Sequence, residues 1–82
     1  MKVDGYMVIE TCEDYEQPLG LNREAGLPDG GLLIWTAAPR AIFDSRKTAQ
    51  AAIDRTDHYR QAFGSTDLPE RKLCKIVGVC RV

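Results

Sequence analysis

Apolar positions recur at two different periods along this chain, and the change of period marks its elements. Residues 5–12, Gly-Tyr-Met-Val-Ile-Glu-Thr-Cys, alternate so that Tyr6, Val8, Glu10 and Cys12 share one face and Met7, Ile9 and Thr11 the other. Apolar content on both faces predicts a strand covered, at least partly, on each side. Residues 13–30 break the pattern with Pro18, Gly20, Gly26, Pro28, Gly30 and five acids, and read as one long irregular loop. Pro28-Asp29-Gly30-Gly31 is a turn signal that launches a second strand over residues 31–36. That strand ends before Pro39, which has no N–H to give a ladder.

From residue 45 the period lengthens. Ala49, Ala52, Ile53, Thr56, Tyr59 and Phe63 fall three or four apart and form one apolar stripe, with Phe43 closing one end. Lys47, Asp54, Arg55, Asp57, His58 and Arg60 line the remaining surface. Ser45 stands where an N-cap belongs, ready to accept from the N–H of Lys47 or Thr48, and Gly64 stands where a left-handed stop belongs. The spacing predicts a helix over 46–63, about 27 Å long at 1.5 Å per residue. Alternation returns over residues 73–82, with Cys74, Ile76, Cys80 and Val82 toward the helix and Lys75, Val77, Val79 and Arg81 away.

These elements give a β-β-α-β chain of α+β class. A right-handed crossover through the helix makes the third strand parallel to the second. Placing the first strand between them gives a three-stranded, mainly antiparallel sheet of order 2-1-3, with the helix on one face. Its two-sided apolar strand then sits in the middle.

Size and composition narrow the class further. Eighty-two residues, 44% hydrophobic and 28% charged, make one ordered domain spanning 1–82 with a stability margin of a few kcal/mol. No window approaches the ~18 apolar residues of a membrane span, and Asp4 interrupts any signal-peptide core, so a cytoplasmic protein without membrane contact is expected. An odd set of three cysteines, Cys12, Cys74 and Cys80, argues against a disulfide framework and reads as small buried apolar side chains.

The net charge of −1 hides an asymmetry. Residues 1–30 carry two basic side chains against seven acids, and residues 31–82 carry nine against five. The acids are densest over residues 10–16, where Glu10, Glu13, Asp14 and Glu16 surround Tyr15. That segment reads either as a solubilising loop or as an acidic surface offered to a basic groove, with Tyr15 as its rigid anchor. Arg23 and Glu24 extend the same candidate protein-binding set into the loop. Arg40, Arg46, Lys47, Arg71 and Lys75 form the alternative, a nucleic-acid-binding set. Asp44, Asp54 and Asp57 interrupt it and the sequence pI is about 5.7, which favours a solvated mixed-charge face.

Catalytic chemistry finds little purchase in these residues. His58 is the single histidine, and its nearest acid, Asp54, lies one helical turn away as in ordinary surface pairs. No Cys-x-x-Cys or paired histidines suggest a metal, and Gly30-Gly31 precedes a strand where a phosphate loop needs a helix. A protein without catalytic or cofactor-binding residues is expected.

The run Phe43-x-Ser45-x-x-x-Ala49-x-x-Ala52-Ile53, then Tyr59 and the strand Lys75-Ile76-Val77-x-Val79, resembles small single-domain proteins of phages and mobile elements, anti-CRISPR and other anti-defence inhibitors among them. The resemblance spans residues 32–82 and carries over no individual functional residue. It implies a non-enzymatic inhibitor in the host cytoplasm that occupies a nucleic-acid or partner site of a host protein. Self-association through exposed sheet edges, as a homodimer, is a third expectation.

Overall fold

The computed structural model describes residues 3–35, 41–64 and 68–80. Its longest element is α1, Arg46–Phe63, with the bounds that periodicity predicts. Ser45, extended at φ −149°, accepts the Thr48 N–H at 3.2 Å, and Thr48 Oγ1 accepts the Ser45 N–H in return. At the other end Gly64 takes φ +62°, the left-handed geometry that stops a helix, and donates its N–H to the Arg60 carbonyl.

Among the described residues five strands accompany the helix: β1 Gly5–Thr11, β2 Glu16–Pro18, β3 Gly20–Asn22, β4 Leu32–Ile34 and β5 Cys74–Val79. The main sheet is antiparallel with order β2-β1-β5, so the first strand is central and the last strand flanks it, as expected. The other flank differs from expectation. It is filled by β2, from within the expected irregular stretch 13–30, and not by residues 31–36. Leu32–Ile34 pairs instead with β3 in a second, two-stranded sheet. The run from Glu16 to Asn22 thus changes partner at Leu19, whose N–H still reaches the Val8 carbonyl at 3.0 Å. Pro18 cannot donate, and the change of sheet falls beside it.

The register sorts side chains onto two faces. Tyr6, Val8, Cys74 and Ile76 meet the helix, with Leu19, Leu21 and Leu33 completing a core around Ala49, Ala52 and Ile53. Both alanines are fully buried, which lets the helix lie close to the sheet. Met7, Ile9, Val77 and Val79 point to the other face, where no helix lies among the described residues. The apolar stripe of α1 outruns the sheet: Phe63 is 70% exposed and its ring stacks on Tyr59, with centroids 4.5 Å apart.

Two polar side chains expected at the surface or in an apolar stripe do other work. Thr56 is buried; its Oγ1 donates to the Ala52 carbonyl at 2.7 Å and accepts the Leu33 N–H at 2.9 Å, fastening β4 to the helix. Asp57, read as a surface residue, is also buried. It accepts from Arg60 Nη2 at 3.1 Å, Gln61 Nε2 at 2.7 Å and the Arg71 N–H at 3.4 Å. Burial alone pushes its carboxyl up, but those hydrogen bonds and the Arg71 and Arg60 charges outweigh it and hold it below its ordinary value. No described helix is long and apolar enough to cross a membrane.

Candidate protein-binding site

β1 and β2 are joined by a tight hairpin. The Cys12 N–H donates to the Tyr15 carbonyl at 2.8 Å, so Glu13 and Asp14 alone form the tip. Both are exposed, and neither takes a positive φ. Tyr15 stands beside them half exposed, at 52%. The neighbouring Cys12 side chain, then burial and the Glu10 charge, raise its pKa. An aromatic ring held on a two-residue turn loses little conformational freedom when a partner covers it.

The other residues of the predicted acidic set are placed differently. Glu10 belongs to the interior: it is 4% exposed, and its carboxylate accepts from Gln17 Nε2 at 3.1 Å and Trp35 Nε1 at 2.9 Å. A buried carboxylate must be satisfied from within, and those two donors remove it from any surface contact. Glu16 is exposed but paired with Lys75 Nζ at 3.1 Å. Because β2 and β5 flank β1, this pair reaches across the open face beside Ile9, which is 7% exposed. Arg23 and Glu24 are exposed but lie beyond β3, at the opposite end of the Glu16–Asn22 run from the tip. The compact acidic patch is therefore Glu13, Asp14 and Tyr15, with Glu16 at its edge.

The alternative basic set is not gathered into a stripe. Arg40 lies outside the described residues. Arg46 sits 5.3 Å above the Tyr6 ring, and Lys47 is exposed on the same first turn of α1. Arg71 contacts Asp54 at 3.3 Å and Asp57 at 3.6 Å, while Lys75 answers Glu16 on the other face of the sheet. Cations already paired with carboxylates offer little to a phosphate backbone.

The residues weighed for catalysis are equally dispersed. His58 is exposed on the rim of a groove of about 440 Å³ between Leu27, Pro28 and the last turns of α1. Asp54, its expected partner, instead accepts from Gln50 and pairs with Arg71. The cysteines are less buried than expected: Cys12 and Cys74 are half-buried and Cys80 is exposed. Burial, then the Glu10 and Asp57 charges, push the Cys74 thiol up to about 11, which keeps it protonated at neutral pH. Among the described residues no three His, Cys, Asp or Glu side chains gather as a metal site requires.

No protein-family model matches this chain, and no curated protein or solved structure does either.

Proposed function

We propose that the chain is a non-enzymatic protein-binding module that inserts its acidic hairpin tip into a basic, nucleic-acid-holding surface of a host effector, acting as an anti-defence-type inhibitor. The observation that supports this is the turn itself: two carboxylates unpaired among the described residues and a half-exposed tyrosine on a hydrogen-bonded hairpin, while most described basic side chains are already engaged. Glu13 and Asp14 would meet the partner's cations, and Tyr15 would fill the central, desolvated position where a rigid aromatic contributes most. Charge of this kind speeds encounter and fixes partner choice, so binding should weaken as salt rises.

The test is comparative capture from a cell extract, followed by measured binding to, and inhibition of, the nucleic-acid-handling protein recovered. Glu13→Lys with Asp14→Lys, and Tyr15→Ala separately, should each abolish capture and inhibition with the helical circular dichroism unchanged. Lys47→Glu should leave both intact. If the hairpin variants bind as the wild type does, or if Lys47→Glu alone removes binding, the reading fails.

A further inference from the structure

We infer that β5 is a self-complementary edge through which two copies of the chain pair into one continuous sheet of six strands. The argument begins with which way backbone groups point. Tyr6 exchanges both of its hydrogen bonds with Phe43, the Val8 carbonyl accepts from Leu19, and the Cys12 N–H bonds Tyr15. The even-numbered residues of β1 therefore direct their N–H and C=O groups away from β5, and Gly5, Met7 and Ile9 direct theirs toward it. With Gly5 opposite Val79, Met7 opposite Val77 and Ile9 opposite Lys75, the odd residues of β5 are consumed by β1. Ile76 and Gly78 are left facing outward with two donors and two acceptors, unpaired among the described residues. The Cys74 N–H, on the same side, is already given to Arg71.

An open edge of this kind is normally blunted by a proline, a bulge or an unpaired charge. Cys74–Val79 holds no proline, its register with β1 is unbroken, and its one charge, Lys75, is answered by Glu16 of the same copy. A second strand is therefore admitted, and the side-chain pattern fits the strand's own sequence. In the antiparallel pairing centred on Val77, Ile76 lies opposite Gly78 of the other copy twice over, and four hydrogen bonds form. The place a side chain would take at Gly78 is covered by the Val3 methyls of the same copy, 3.3 Å from where a β-carbon would stand, so the incoming isoleucine packs against Val3.

On the open face Val77 meets Val77 of the second copy, and Lys75 meets Val79. The two lysines then lie four positions apart, about 13 Å along the strands. Shifting the centre to Ile76 would halve that separation and set Lys75 against Val77. The symmetric pairing also joins the half-buried Met7, Val77 and Val79 of both copies into one apolar surface.

Sedimentation velocity over a micromolar to millimolar range tests the pairing. The wild type should move to twice the 9.1 kDa of the chain, and Val77→Lys, which puts two charges on the axis, should raise the dissociation constant at least about tenfold. Helical circular dichroism shows whether that variant still folds. If it does not, disulfide trapping decides: Val77→Cys places two α-carbons about 4.5 Å apart, whereas Lys75→Cys leaves its pair too distant to bridge. A symmetric dimer trapped at position 77 above the wild-type background, and not at 75, upholds the inference. A wild type that stays monomeric throughout, a folded Val77→Lys variant that dimerises as well as the wild type, or equal trapping at both positions overturns it.

Discussion

The helix with its caps, residues 45–64, and the segment from Cys12 to Trp35 are held in order by different means. Every device that bounds α1 lies within a few residues of where it acts: Ser45 with Thr48 at the start, Gly64 at the end, and an apolar stripe between. The other segment has three strands of three residues each, too short to persist alone, and a turn at residues 26–31 rich in glycine. Its order is supplied from elsewhere in the chain. Thr56 holds the Leu33 N–H, Arg55 Nε donates to the Gly31 carbonyl at 2.6 Å, and Trp35 is tied to Glu10. The helix is thus both an element and the frame on which the less regular half is hung. Stability in that half depends on contacts across 23 to 25 positions of sequence, and should be lost as one unit with the helix.

Ile53→Ala tests that dependence most severely. Ile53 lies at the centre of the shared core, and the cavity should cost about 2–4 kcal/mol, with helix and tryptophan signals melting together in urea. Separate transitions would break the link between the two regions. Thr56→Val keeps the shape but leaves the Leu33 N–H without an acceptor, at a cost of about 1–3 kcal/mol. Amide exchange at Leu33 should accelerate in that variant while the helix stays protected.

Acid supplies a smaller, graded probe. The Asp57 carboxyl is depressed in the folded state, so its contribution is present above the unfolded value near 3.9 and disappears as pH falls through the folded one. Melting temperature should drop below about pH 4, and Asp57→Asn should flatten that slope while lowering stability at pH 7. Ser45→Ala should do least, costing about 1 kcal/mol by unfastening one helix end.

The contrast also explains what was legible beforehand. Helix bounds, both caps, the central first strand and the flanking last strand follow from local signals and period. β2 and β3 escaped because Pro18, Gly20 and neighbouring acids look like a loop, although Gln17, Leu19 and Leu21 do alternate toward the helix side. The charge of Glu10 points to the surface, whereas its place on the apolar face with Val8 points inward, and the interior is where it lies. Asp57 lies one turn beyond Ile53, at the margin of the stripe, where a partner from residue 71 is invisible to any local pattern. Of the candidate site, the tip residues Glu13, Asp14 and Tyr15 were readable as an acidic aromatic cluster. That they occupy a two-residue turn was not, because the turn exists only once β2 pairs with β1.

Amide hydrogen exchange at Cys12 measures that turn directly. Its N–H is bonded to the Tyr15 carbonyl, so it should exchange far more slowly than the exposed amides of Glu13 and Asp14, with Leu19 protected alongside it. Exchange of Cys12 and Leu19 at the rate of an open chain, while β1 and β5 remain protected, would mean that the acidic tip is not held in place, and the account of how it meets a partner would be contradicted.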